Sequence, residues 1–290
     1  MKMKKINKIA FIGMGLINSS LARDLNDLGF YNSSSAYSRT KKTRNILRKL
    51  DIVDKVEESY EKTVKGADIV IIGVPVAAFS NVIKKISPFL MKSTIITDVG
   101  SVKKSLIKSA EKYLPKNIDF IPGHPIAGTE NSGPEAGFKG LFKNGYCILT
   151  PKSNIKKESL DIIIKMWNLA GMKVDIMDPE YHDMVLAITS HIPHIIAYSI
   201  VGTISSLEKS IKKEVIKYAA SGFKDFTRIA ASDPIMWRDI LLSNKGSILE
   251  MLSIFKKDLA TLEKAIRNED SKFLYNLFSK TRLIRKKINK

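Results

Sequence analysis

The rhythm of apolar and polar positions changes once along this chain. Up to residue 178, short β-branched runs alternate with amphipathic stretches. "KIAFIG", "SSAYS", "ADIVIIGV", "STIITDV", "IDFIPG", "YCILT" and "KVDIM" have the length and composition of strands. Helical spacing fills most of the gaps, for instance Leu16 to Leu28, Lys41 to Leu50 and Val102 to Tyr113. Strands apolar at nearly every position are buried on both faces. The pattern therefore predicts an α/β unit over 1–178, a doubly wound, mostly parallel sheet covered by helices.

After "MDPEYHD" the 3.6-residue period takes over, and residues 179–290 read as an all-α domain. "HDMVLAITSHIPHIIAYSIVGTI" is one long apolar helix, bent or interrupted near Pro193. At least three helical stretches follow, including "SILEMLSIFKKDLATLEKAI". These apolar helices exceed what a lone bundle of this size buries, so a homodimer through the helical domain is expected.

Composition adds less. The net charge of +19 invites a nucleic-acid reading, but 39 of the 48 basic residues are Lys and they are spread along the chain. Such a bias reads as a solvated basic surface that steers small anions. Nucleic acid is not expected as a partner. The apolar run "IVIIGVPVAAF" is too short and interrupted to span a bilayer, and "MKMKKINK" lacks a signal-peptide pattern. The single cysteine, Cys147, cannot form an internal disulfide. Together these predict a cytoplasmic protein without a membrane partner.

Candidate chemistry sits at strand ends. "KIAFIGMGLINSSLA" places Gly13 and Gly15 after the first strand and opens a helix through Leu16 and Ile17. Gly13 permits the tight turn, and Gly15 lets backbone approach a pyrophosphate on the helix N-terminus. Asn18 replaces the third glycine of the fingerprint, a position that serves helix–strand packing. The α/β unit is therefore expected to be Rossmann-type and to bind a dinucleotide. The second strand ends in Ser38, Arg39 and Thr40 where NAD enzymes carry an acid. Two hydroxyls and a guanidinium suit a 2′-phosphate, which favours NADP slightly over NAD; the alternative is a solvated loop Arg39. Val74 and Pro75, then Asp98, Gly100 and Ser101, then His124, end later strands and converge on one crevice.

"GMGLINSSLA", "TDVGSVK", "GHPIAGTENSG", "SHIPH" and "GFKDFTRIAASDPIMWRDI" resemble the prephenate/arogenate (cyclohexadienyl) dehydrogenase family, in order and over nearly the whole chain. The resemblance implies NAD(P)-dependent oxidative decarboxylation of prephenate and/or arogenate in tyrosine biosynthesis. It implies a Rossmann domain and a dimerising helical domain that helps bind substrate. No chorismate mutase region or regulatory domain is expected in this chain.

By the resemblance, His124 accepts the proton of the ring hydroxyl, and Ser101 bonds that hydroxyl and the nicotinamide. Ser101 could also cap the helix after it. Ser190 and His194 reach the substrate side chain, and Thr129 and Glu130 belong to the substrate site. Glu130 lies at the pocket mouth or is simply a loop carboxylate. Arg228 binds the ring carboxylate as a buried guanidinium on a polar bend that also carries Lys224, Asp225 and Thr227, or else it pairs with Asp225 or Asp233. Arg238 reads as a structural partner of Asp239 or Asp233. His191 and His194 lack an acidic or cysteine partner, so no metal is expected. His182 reads as a helix-start residue without a role. Two rival readings remain. One is another Rossmann/helical oxidoreductase, of the β-hydroxyacid dehydrogenase or pyrroline-carboxylate reductase kind. The other is a non-enzymatic dinucleotide-sensing regulator. The first does not explain "HPIAGTE", and the second leaves His124, Ser101 and Arg228 idle.

Overall fold

A computed structural model describes residues 6–288. The first five residues of the basic N-terminal stretch and the last two of the C-terminal one lie outside the described residues. The first unit contains β1 (Ile6–Ile12), β2 (Tyr31–Tyr37), β3 (Lys55–Val56), β4 (Ile69–Ile72), β5 (Ile95–Asp98) and β6 (Asp119–Ile121). They form one sheet in the order β3-β2-β1-β4-β5-β6, with every pairing parallel. The order reverses direction at β1 and β4, the switch point where ligands of open α/β sheets bind.

Period-two alternation in these strands builds two cores. Ile9, Phe11, Ile69, Ile71 and Ile95 face one side and pack with Leu21, Leu25, Met166 and Trp167. Ala10, Ile12, Val70, Ile72 and Ile96 face the other and pack with Phe79, Ile83, Leu106 and Trp237. Trp237 comes from the helical unit, so the second core also docks the two units together.

Two features differ from the expectation of a single sheet. Gly123–Ile126 is a strand of its own, β7, and not the end of the one before. It pairs antiparallel with β8 (Tyr146–Leu149), which pairs parallel with β9 (Lys173–Ile176) in a separate three-stranded sheet. Pro125 is tolerated there because β7 is an edge strand. The two-residue β3 was not anticipated; two residues carry no period.

From Pro179 onward the described chain is helical. Pro179–Leu186 runs through a π-turn, Ala187–His191, into Ile192–Ser205, with Pro193 in the first turn of the last segment. The π-turn absorbs the break that proline imposes on a helical ladder. The whole run, Pro179–Ser205, is long and apolar enough by composition to cross a bilayer, contrary to the sequence expectation. It nevertheless carries buried His182 and Asp183 against the first unit, and buried His191 against Asn244 of the helical unit. Further helices cover Lys209–Tyr218, Ser221–Thr227, Pro234–Ser243, Lys245–Arg267 and Ser271–Ile288. Their own core is small, centred on Ala187, Ile192 and Ile248, and it leaves Leu242, Leu259, Ile266, Phe278 and Leu283 exposed.

Candidate active site

At the end of β1 the chain turns through Gly13, whose φ is +83°. A side chain at Gly13 would stand 2.6 Å from the Gly73 carbonyl oxygen and 2.7 Å from Val74 at the end of β4. The position thus requires glycine twice, for its dihedral and for its space. Gly15 caps helix Leu16–Asp27, and a Cβ there would meet nothing within 4 Å. No acidic residue occupies the first turn, and no side chain caps it. The helix therefore presents unsatisfied N–H groups at Leu16 and Ile17 and its positive dipole end to open space, which fits a pyrophosphate. Asn18 is buried, donates from Nδ2 to the Gly13 carbonyl at 2.8 Å and fills the space above Gly73. Its work is packing, as its position in the fingerprint predicts.

The three residues after β2 separate in role. Ser38 is buried, and its Oγ accepts from the Met14 N–H at 3.2 Å, tying this strand end to the glycine turn. Thr40 Oγ1 accepts from the Thr43 N–H and caps helix Lys41–Leu50. Only Arg39 is exposed with no hydrogen bond from its side chain to the described residues. Arg44 donates to the carbonyls of Ser38 and Arg39 and pairs with Glu58, which fixes the loop backbone. Val74 and Pro75 lead into helix Val76–Ile86 beside this turn.

The other end of the crevice rests on a buried ion pair. Lys103 Nζ lies 2.6 Å from Asp98 Oδ2 and donates to the Gly123 carbonyl at 2.6 Å. Asp98 also accepts from the Gly100 and Gly123 N–H groups. Burial pushes the Asp98 carboxyl up, against the pull of Lys103 and these amides. The cluster binds the end of β5 to the start of β7, and so sets the loop of Ser101 against the strand of His124. Ser101 itself lies two residues before the cap position, Lys103, of helix Lys104–Tyr113. It does not cap that helix. The Asp183 carboxylate does so from the helical unit, accepting from the Lys103 and Lys104 N–H groups at 2.8 and 3.0 Å.

His124 is buried in β7 opposite Ile148. Its Nδ1 lies 2.9 Å from Nε2 of His182, and Nδ1 of His182 lies 2.8 Å from Asp183 Oδ1. His124 Nε2 has no partner among the described residues and is not sealed from solvent. Burial, with His182, Lys103 and His191 adding to it, holds His124 well below the ordinary imidazole range. The ring is therefore a neutral acceptor at pH 7. Sequence reasoning assigned His182 no role and passed over Asp183 and Lys103. A His-Asp pair opening an apolar helix was the one available signal.

On the helical side, Ser190 lies in the π-turn, and its carbonyl accepts from His194 Nδ1 at 2.9 Å. The His194 ring stacks on Trp237 at 3.4 Å between centroids. Burial lowers His194, and the nearby Arg228 charge lowers it further. His191 is sealed, with Nδ1 3.2 Å from Asn244 Nδ2, and burial pushes it down to about 4. Among the described residues no three His, Cys, Asp or Glu are grouped for a metal. Arg228 departs from expectation. It is not buried: its side chain is 61% exposed, and it faces Glu130 at 3.5 Å, not Asp225 or Asp233. Lys224, Asp225 and Thr227 lie on helix Ser221–Thr227, and Arg228 begins the 3-10 turn after it. Thr129 stands exposed in the same loop as Glu130, its Oγ1 accepting from the Asn131 N–H. Arg238 bonds Asp239, as read from the sequence.

A helix N-terminus shaped for a pyrophosphate and a buried imidazole with one open nitrogen are features that a nicotinamide-dependent oxidoreductase uses. They define that class. Comparison narrows it. The family model described as "Prephenate dehydrogenase, nucleotide-binding domain" matches residues 21–176, and "Prephenate dehydrogenase, dimerization domain" matches 178–280. The chain belongs to the prephenate dehydrogenase family. It is 40% identical over 277 residues to a cyclohexadienyl dehydrogenase of Zymomonas mobilis, covering 96% of this chain and 94% of that one. A crystal structure of Aquifex aeolicus prephenate dehydrogenase, in complex with hydroxyphenyl propionate and NAD+, superposes with a TM-score of 0.91 at 35% identity. It covers 99% of this chain and 100% of that one. Synechocystis arogenate dehydrogenase gives 0.81 at 28%, covering 97% and 99%.

Proposed function

We propose that this enzyme oxidatively decarboxylates prephenate, arogenate or both, with His124 Nε2 taking the proton of the ring hydroxyl. The observation that carries the reading is the open Nε2 of a buried, neutral imidazole at the strand ends. The Gly13–Ile17 turn would hold the cofactor's pyrophosphate, and the bound nicotinamide would supply the hydride acceptor. As the carbinol C–H pair leaves, the hydroxyl becomes acidic and its proton passes to His124. The bond to the ring carboxylate then breaks as carbon dioxide departs, and its electron pair enters the ring. The new phenol oxygen takes a proton back from His124, so the imidazole ends as it began. Ser101, without a hydrogen-bond partner among the described residues, is free to bond the same hydroxyl. Arg228, beside His194, would exchange Glu130 for the ring carboxylate, and Thr129, Ser190 and His194 would line the side-chain end.

The test is reduced-nicotinamide formation with prephenate and with arogenate. His124→Asn should lower kcat by about 10² to 10⁴ with little change in KM. In wild type, kcat/KM should hold through the ordinary imidazole range and fall only well below pH 6.5, because protonation of His124 is opposed by burial. A near-normal kcat in His124→Asn removes it from the mechanism. The Zymomonas relative's name supports acceptance of both substrates.

The exposed apolar residues Leu242, Leu259, Ile266, Phe278 and Leu283 support a homodimer through the helical unit. Light scattering at micromolar concentration should give twice the chain mass; a monomer would contradict this. The cofactor reading is that NADP is accepted at least as well as NAD, through Arg39.

A further inference from the structure

To accept a proton, His124 needs a free lone pair on Nε2, and a neutral imidazole has two tautomers. We infer that His182 and Asp183 are positioning residues that select the tautomer of His124 with Nδ1 protonated and Nε2 bare. The inference deepens the reading of His124 as proton acceptor.

Asp183 Oδ1 and Oδ2 already accept from the Lys103 and Lys104 amides, and a carboxylate can only accept. Nδ1 of His182, 2.8 Å from Oδ1, must therefore be the donor. With the ring's proton on Nδ1, Nε2 of His182 is left as an acceptor. That atom faces His124 Nδ1 at 2.9 Å, so His124 must donate from Nδ1. The open Nε2 keeps its lone pair. His182 is fully buried and Asp183 is 2% exposed, so water does not compete for either contact. When His124 takes a proton, the positive charge lies one ring from a carboxylate, which stabilises it. The same two amides, which donate to no other capping side chain among the described residues, fix Asp183 to the helix following Ser101. One carboxylate therefore sets both the base and the loop of Ser101.

The other two histidines serve as internal controls. Asn244 Nδ2 donates to the Asp183 carbonyl at 2.7 Å and lies 3.2 Å from His191 Nδ1. His191 Nδ1 is thus an acceptor, and its proton is on Nε2. His194 Nδ1 faces the Ser190 carbonyl and must donate. The chain has four histidines, so three should carry Nδ1–H and only His191 Nε2–H.

The experiment is ¹⁵N NMR of histidine-labelled, full-length protein at a pH well above the imidazole reference value of about 6.5, with signals assigned by single substitutions. The expected result for His124 is a protonated Nδ1 and an unprotonated Nε2. An Nε2–H tautomer at His124, or His182 protonated on both nitrogens, overturns the inference. Kinetics add a second arm. His182→Phe removes the acceptor and should lower kcat about 10²-fold while the KM values for substrate and cofactor stay within about threefold. His182→Gln can offer an amide oxygen to His124 Nδ1–H and should recover at least about tenfold of that loss. Equal rates for the two variants, or a loss confined to KM, would also overturn it. If His124→Asn is fully active, the reading of the base fails instead, whatever the tautomer.

Discussion

Two ion pairs, one in the sheet unit and one that reaches the helical unit, could hardly differ more. Lys103 and Asp98 are 0% and 1% exposed, 2.6 Å apart, and every other group around them is a protein donor or acceptor. Arg228 and Glu130 are 61% and 48% exposed, 3.5 Å apart, and join a loop after β7 to a turn of the helical unit. The first pair cannot meet a ligand without unfolding its surroundings. The second contributes on the order of 0–1 kcal/mol to stability and can open at almost no cost. Sealed charge sets the scaffold here, and in the proposed reading open charge is left for the substrate.

The sharpest way to break that comparison is to remove one sealed charge. Asp98→Ala leaves the Lys103 ammonium buried with only a carbonyl for company. It should cost roughly 3–5 kcal/mol of unfolding free energy, read by denaturant titration. A loss below about 1 kcal/mol would mean that Lys103 escapes to solvent and that the pair is not the floor of the site.

Arg228→Ala makes the opposite case. Stability should change by less than about 1 kcal/mol. KM for the substrate should rise by tenfold or more, since a carboxylate loses a charged donor whose bonds contribute roughly 1.5–3 kcal/mol. KM for the cofactor should stay within about twofold. If both ligands weaken together with stability, Arg228 belongs with the scaffold and the contrast collapses.

What the chain betrays in advance follows the same division. The glycine turn was legible because its demands are local: Gly13 needs its dihedral, and Asn18 sits five residues along to fill the space. His124 was legible because a His-Pro between glycines has no packing purpose. Lys103 was not, because "KK" at a helix start gives no sign that one lysine is sealed and the next exposed. His182 lies 58 residues from His124, and only the docking of the helical unit brings them together. Arg228 was read as buried and is exposed, because periodicity does not report which side of a turn faces solvent. The β7 strand was missed for a related reason: a proline and a glycine in four residues read as a turn unless an edge position is known.

The smallest expected effect concerns the far end of the crevice, where sealed and open groups stand side by side. Ser38 and Thr40 serve the fold, through Met14 and through the helix cap. Arg39 alone is open, and the absence of an acid at this strand end removes the repulsion that a 2′-phosphate meets in NAD enzymes. Arg44 cannot substitute, since its guanidinium is only 12% exposed and is held by two carbonyls and Glu58. Arg39→Ala should therefore raise KM for NADP about five- to tenfold, roughly 1–1.4 kcal/mol, and change KM for NAD less than twofold. Folding should be untouched, because the Arg39 side chain makes no hydrogen bond among the described residues. A wild type that prefers NAD by more than about tenfold, or a variant with an unchanged cofactor ratio, would show that the open guanidinium is only a loop residue. The rule of open charge for ligands would then hold at the substrate end alone.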